Sequence, residues 1–267
     1  MNLGIKNTLL KILWILNQYG FDLMTFIKAI KRTPLFIRDL FNFKKSLDRD
    51  IVINIKPCLG DLGEESGAVN TEYFWQDLII AQLIFDANPS DHVDVGSRID
   101  GFVSNVASFR DIKILDVRPL NHLIPRVSFI QSDLMQELDP SLLNNDGYCD
   151  SLSCLHALEH FGLGRYGDPL DVMGYEKGFR NMVKLLKKDG VFYFATPIGK
   201  NRVEFNANRV FDPRIILKLA EECGLTLNEL KTISSSCDIE NIEINKESIL
   251  NLSTQPYHLG IFIFIKN

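Results

Sequence analysis

The 267-residue chain has few cysteines and no Cys-x-x-Cys pair. Its five thiols (Cys58, Cys149, Cys154, Cys223, Cys237) are odd in number and do not space like a disulfide framework, which argues against a small cross-linked scaffold and for a reducing, cytoplasmic setting. Long apolar runs are also missing. Leu9 to Leu16 is interrupted by Lys11, is followed by no small-residue cleavage site, and falls well short of the roughly 20 apolar residues of a bilayer span. Nor is there an excess of positive charge: 29 Lys+Arg against 34 Asp+Glu leave a net charge of −5, so no nucleic-acid partner is expected. Internal repeats and low-complexity tracts are absent. A content of 46% hydrophobic and 24% charged residues excludes a disordered or collagen-like chain.

The charge that is present is unevenly spread. Residues 1–50 carry nine Lys/Arg against four acids, a basic head on an acidic body. Apolar residues at helical spacing (Leu9, Leu13, Leu16) predict two or three amphipathic helices over residues 3–46, punctuated by Gly20 and Pro34. Such an extension is expected to pack on the main domain or on a second copy of the chain, a homo-oligomer. The competing expectation is peripheral contact with the inner face of a membrane through residues 1–46, because basic residues beside Trp14, Phe21, Phe26, Phe36 and Phe41 suit anionic headgroups. Residues 51–70 read as a linker, with a short strand-like piece at Ile51 to Ile55 and glycines at 60, 63 and 67. The remainder, 71–267, reads as one domain.

In that domain helices and strands alternate. Helices are predicted at Glu72 to Phe85, Gly101 to Phe109, Gly174 to Leu186 and Asp212 to Cys223. Strands are predicted at His92 to Val95, Lys113 to Val117, Val127 to Gln131, Cys149 to Cys154, Gly190 to Thr196, Leu227 to Ile233 and Leu259 to Ile265. The alternation predicts an α/β fold with a doubly wound, parallel Rossmann-like sheet, whose ligand site lies beyond the carboxyl ends of the strands. The last strand, apolar on both faces, should be interior; Ser234 to Ser253 reads as a long polar connection.

The residues just past these strands carry the chemistry. Val93-Asp94-Val95-Gly96-Ser97 makes a strand-to-helix turn in which glycine lets the backbone bend and approach a ligand. Asp116 ends the second strand twenty residues after Gly96, the spacing at which a carboxylate can accept from both ribose hydroxyls of a bound nucleotide. Asp133-Leu134 follows the third strand, and Asp150 to Phe161, containing Leu158-Glu159-His160, spans the fourth.

Together these four segments resemble class I S-adenosylmethionine-dependent methyltransferases. The resemblance covers roughly residues 71–267 and implies S-adenosylmethionine as cofactor, held by Asp94, Gly96, Ser97, Asp116, Asp133 and Leu134, with Asp133 near the adenine amino group. Tyr73-Phe74-Trp75-Gln76-Asp77-Leu78, Val93 to Gly101 and Leu158 to Asp168 are similar, more narrowly, to an uncharacterised methyltransferase-like family associated with bacterial surface-polysaccharide genes. That similarity implies a sugar, glycan or nucleotide-sugar acceptor methylated on oxygen.

Methyl transfer to a hydroxyl calls for alignment, exclusion of water and a base. His160, His156 and Glu159 are the candidates, with hydrogen bonding within the loop as their plainer role. His156-Ala157-Leu158-Glu159-His160 also spells the His-x-x-Glu-His zinc-peptidase signature, which requires a helix carrying both histidines on one face. No metal site is expected, since Cys149 and Cys154, five positions apart on a strand, should point to opposite faces. Arg165, Tyr166 and Asp168, in the glycine-rich connection from Gly162 onward, are candidates to bind the acceptor, as are Arg202, Glu204 and Asn206 after the fifth strand. A catalytically silent scaffold docked on a partner or membrane, and a nicotinamide-dependent enzyme, are the competing readings; the incomplete glycine fingerprint at Gly96 counts against the latter.

Overall fold

The computed structural model describes residues 3–47, 51–61, 63, 67, 69–143 and 146–267. Asp48, Arg49 and Asp50 of the basic extension lie outside these, as do the side chains of Lys6 and Leu9. The chain divides into two compact units, Met1–Ala68 and Val69–Asn267.

Among its described residues the first unit holds two helices, α1 (Leu3–Gln18) and α2 (Leu23–Ser46). They part at Gly20, whose φ of +81° suits a residue without Cβ. Asp22 then caps α2, accepting from the Thr25 N–H at 3.0 Å. Pro34 was expected to end a helix, but α2 runs through it. Pro34 removes the donor that would bond the Ile30 carbonyl, at a residue that is itself exposed. Ile51 to Ile55 forms no strand: among the described residues it has no pairing partner, and Ile51, Val52 and Ile55 are exposed. Two carbonyls farther on, at Leu59 and Gly60, accept from Arg32 on α2 at 2.9 and 2.6 Å. Among the described residues no helix is long and apolar enough to cross a membrane.

The second unit opens with α3 (Glu72–Ala87), capped by Thr71 and closed by Asn88 in the left-handed region. Its sheet comprises β1 (His92–Val95), β2 (Ile112–Asp116), β3 (Val127–Gln131), β4 (Cys149–Leu155), β5 (Leu186–Ile198), β8 (Leu225–Ile233), β9 (Ile239–Asn241) and β10 (His258–Lys266). β6 (Arg202–Glu204) and β7 (Asn208–Val210) form a separate hairpin. The strand order is β3-β2-β1-β4-β5-β10-β8-β9, with β1 to β5 parallel and β10 antiparallel to both its neighbours. The order therefore reverses between β1 and β4, the position at which open α/β sheets bind ligands. The sheet is mixed rather than wholly parallel, because the final strand enters between β5 and β8 as a hairpin-like return.

Between the strands lie α4 (Ser104–Ala107), α5 (Gly174–Leu185), α6 (Pro213–Glu222) and α7 (Lys246–Thr254). The predicted helix Gly101 to Phe109 is instead a wide turn over Ile99–Val103 leading into α4, since Gly101 is non-helical. A Cβ on Gly101 would lie 2.6 Å from Asp77 Oδ2, so any larger residue there would displace the end of the Asp77 side chain. The polar stretch after Ser234 is not a plain connection: it contains β9, all of whose residues are exposed, and α7, which anchors through Ile249 and Leu252.

Apolar clusters cover both faces of the sheet. One centres on Phe179 of α5 against Phe192, Phe194 and Phe264; the other packs Ile80 and Ile84 of α3 with Phe102, Ile112 and Ile261. Each fully buried aromatic or aliphatic side chain contributes about 1.5–3 kcal/mol. Cys149 and Cys154 both belong to the first cluster, contrary to the strand-parity expectation. The β4–β5 register breaks just after Cys149, where β5 carries the extra residues between Leu186 and Val191.

Candidate functional site

The carboxyl ends of β1, β2, β3 and β4 open into one cleft, lined by Val95-Gly96, Leu115 to Arg118, Ser132 to Met135 and the segment after β4. Gly96 has φ +74°, and a Cβ there would sit 2.9 Å from Ala157 Cβ. The first turn and the segment after β4 therefore meet closely only because position 96 is glycine.

Asp94 and Ser97, expected to touch the ligand, are buried and do not line the cleft. The Asp94 carboxylate accepts from the Ser97 N–H (3.0 Å), the Ser97 hydroxyl (2.7 Å) and the Ser153 hydroxyl on β4 (2.6 Å). Burial pushes its pKa up to about 6 against these bonds. With the Ser153 proton committed to Asp94, His92 Nε2 donates to Ser153 Oγ (3.2 Å), and Nδ1 accepts from Ser151 (2.8 Å). Burial holds that imidazole neutral, with its pKa down to about 3. This network locks β1 to β4 and fixes the Gly96 turn; Asp94 acts on the site by shaping it.

Asp116 and Asp133 do line the cleft, as does Leu134. Asp116 is held by Arg118, a residue to which the sequence reading assigned no role. Its backbone N–H donates at 2.8 Å, and its Nε and Nη2 grip both carboxylate oxygens. Asp133 accepts from the Met135 N–H at 2.9 Å and the Gln136 side chain at 3.2 Å. Leu134 is buried beside them.

His156 and His160 reach the cleft from the β4 side. They do not share a helix face: His156 has φ +52°, and Leu158–His160 is a single 3-10 turn. The helix demanded by the zinc-peptidase signature is absent, and among the described residues no His/Cys/Asp/Glu group could hold a metal. His156 Nδ1 lies 2.9 Å from Glu159 Oε1. Burial opposes charging of His156, but the hydrogen bond and charge of Glu159, joined by Glu72, prevail and raise its pKa. Glu159 is itself fully buried, and its bond to His156 outweighs desolvation and lowers its pKa. His160 differs. Its Nδ1 donates to the Ala207 carbonyl at 2.7 Å, so the neutral ring keeps its lone pair on Nε2, 3.7 Å from Glu159 Oε1. Burial holds its pKa below the usual histidine value; Glu159 opposes this and Arg165 adds to it.

Several site residues had no role assigned to them from the sequence. Glu72 of α3 lies 3.4 Å from His156 Nε2 and accepts from the Tyr257 hydroxyl at 2.5 Å. Tyr73 stacks on His156 with centroids 4.4 Å apart. Arg209, buried on β7, donates to the Phe161 carbonyl at 2.6 Å and the Glu159 carbonyl at 3.3 Å, and rests over Tyr175. It ties the segment after β4 to the β6–β7 hairpin. These contacts join residues far apart in the chain, which no local pattern records.

The glycine-rich connection is ordered by Asp168, whose carboxylate accepts from the N–H groups of Gly162, Gly164 and Tyr166 at 2.9, 3.2 and 3.1 Å. Asp168 and Tyr166 line the cleft; exposed Arg165 donates to Ala207 O at 2.9 Å. Arg202 and Glu204 pair with each other at 2.8 Å on β6, Arg202 also donates to Pro256 O, and Asn206 is exposed; none of the three lines the cleft.

A family model described as Caenorhabditis protein of unknown function, DUF268, matches residues 129–249, less than half of the chain. No curated protein matches. Among solved structures, the 1,6-didemethyltoxoflavin-N1-methyltransferase of Burkholderia thailandensis, with 1,6-didemethyltoxoflavin and S-adenosylhomocysteine bound, is similar at 12% identity over 73% of this chain and 80% of its own, with TM-score 0.51. The N-methyltransferase NodS of Bradyrhizobium japonicum, also with S-adenosylhomocysteine, is similar at 13% identity over 72% and 85%, with TM-score 0.46. In strand order, and in the topology it shares with the first of these, the 69–267 unit is a doubly wound, Rossmann-like α/β fold of the class I methyltransferase type.

Proposed function

We propose that the protein is an S-adenosylmethionine-dependent methyltransferase acting on an oxygen of a sugar, glycan or nucleotide sugar. The observation that carries this reading is the presence of Gly96, Asp116, Asp133 and His160 along one cleft at the strand-order reversal. Its lining fits a nucleoside: a carboxylate at the end of β2 to accept from the ribose hydroxyls, a second past β3 to accept from an exocyclic amine, and apolar Val117, Leu134 and Met135 beside them.

Bound there, S-adenosylmethionine supplies an electrophilic methyl group on a sulfonium. The chain's own residues do the rest. Gly96 lets the backbone approach, and the Asp94–Ser97–Ser153 network keeps that turn rigid. His160, with Nδ1 anchored on Ala207, takes the acceptor hydroxyl's proton at Nε2, and the nearby Glu159 carboxylate favours the resulting imidazolium. Tyr166, half exposed at the mouth, offers a ring face for a sugar. Titration of the protein with S-adenosylhomocysteine by calorimetry is expected to show micromolar binding; no heat from folded protein overturns this reading.

A second reading, docking on an anionic membrane surface, is favoured by one observation. Phe26, Ile30, Ile37 and Phe41 form an exposed stripe along one face of α2 in a unit rich in Lys and Arg. It is compatible with catalysis in the cytoplasm next to the membrane. Sedimentation with phosphatidylglycerol vesicles, compared with phosphatidylcholine vesicles, tests it; equal sedimentation with both, or with neither, removes it.

A further inference from the structure

Asp116, the carboxylate needed for the ribose, is not free. The Arg118 side chain occupies both its oxygens, with Nε at 3.0 and 3.1 Å and Nη2 on Oδ2. The same Nη2 donates to the Gly96 carbonyl at 3.1 Å, and the guanidinium lies 4.8 Å from the centre of the Tyr166 ring. One side chain thus bridges the β1 turn, the end of β2 and the glycine-rich connection. The cavity that remains has a volume of about 50 Å³. Sites for small molecules and cofactors usually run to ~300–1,000 Å³, so a nucleoside enters only if a lining group moves. Arg118 is the lining group that stands on the ligand's own anchor.

We infer that Arg118 is a specificity-determining competitor for the ribose position, a conclusion that rests on the methyltransferase reading of this cleft. A forked guanidinium and a vicinal diol present matching pairs of donors to a carboxylate. A diol replaces both side-chain donors, Nε and Nη2, at once; a sugar with a single hydroxyl serves one carboxylate oxygen and leaves Arg118 on the other. The Arg118 backbone N–H, 2.8 Å from Asp116 Oδ1, is not part of the exchange and keeps the carboxylate aimed while the side chain leaves. Departure of the guanidinium also frees the Gly96 carbonyl and leaves Tyr166 with Arg165, 5.4 Å from its ring centre, as its remaining cation, so occupancy of the ribose position is transmitted to the connection that faces the acceptor.

The test is calorimetric binding of S-adenosylhomocysteine, adenosine and 2′-deoxyadenosine to wild type, R118M, R118K and D116N, with thermal melts to establish folding. Removing the competitor in R118M is expected to tighten S-adenosylhomocysteine roughly tenfold, with R118K in between, because the competent state no longer has to displace it. The preference for adenosine over 2′-deoxyadenosine is expected to shrink in R118M. Equal or weaker binding by folded R118M, with wild type binding and D116N impaired, overturns the competitor and leaves the methyltransferase reading standing. Absence of S-adenosylhomocysteine binding in every folded form overturns both.

Discussion

Gly96 and Ala157 face each other across the cleft floor so closely that a Cβ on Gly96 would lie 2.9 Å from Ala157 Cβ. Two penalties follow for Gly96→Ala: the contact itself and a side chain held at φ +74°. The backbone part alone costs about 1–3 kcal/mol. Urea unfolding is expected to show at least that loss, and G96A/A157G should recover only the steric share. Full recovery in the double variant would mean that the backbone is unstrained.

Asp116→Asn keeps the shape of the carboxylate but removes its charge. Hydrogen bonds to charged groups contribute about 1.5–3 kcal/mol, so S-adenosylhomocysteine affinity is expected to fall roughly 10- to 100-fold by calorimetry. Asp94→Asn should instead lower the melting temperature, because Asp94 serves Ser97 and Ser153 rather than the cleft.

His160→Ala is expected to leave S-adenosylhomocysteine affinity within about twofold while transfer of labelled methyl groups falls about 10²- to 10⁴-fold, the usual worth of a general base. Since burial lowers the His160 pKa, the acid limb of the pH–rate profile should lie below the ordinary histidine value of about 6.5. A limb at or above that value removes His160 from the role.

His92 makes stability depend on acid. Its folded pKa of about 3 is below the unfolded value of 6.5, so unfolded chains take up its proton first. The contribution is complete above pH 6.5 and is lost as pH falls toward 3. Between pH 7.5 and 5 the loss is about 2 kcal/mol, from 1.36 kcal/mol per pH unit below 6.5. Urea unfolding of His92→Gln should show a correspondingly shallower pH dependence; an unchanged slope would contradict it.

Arg209→Leu leaves the carbonyls of Phe161 and Glu159 without their donor. A cost of about 1–3 kcal/mol is expected for each such buried group, along with faster tryptic cleavage after Arg165 in the connection it secures. Cleavage at the wild-type rate would show that Asp168 orders that segment alone.

Local pattern and composition specified the alternation of elements, the apolar interior strand Leu259 to Ile265, the glycine turn at position 96 and the carboxylates that end β2 and follow β3. Each rests on periodicity or on a residue type at a strand end, both of which are written along the chain. What the chain does with those groups was decided elsewhere. Asp94 turned inward because Ser153, fifty-nine residues away, donates to it. Of the candidate bases, His160 keeps its Nε2 lone pair because Ala207 fixes its tautomer, whereas His156 is engaged by Glu159 and Glu72. Sequence sets the inventory of donors and acceptors; their partners depend on contacts between distant segments, so only the packed structure assigned Asp94 to the scaffold and left Asp116 to the cleft, under the hand of Arg118.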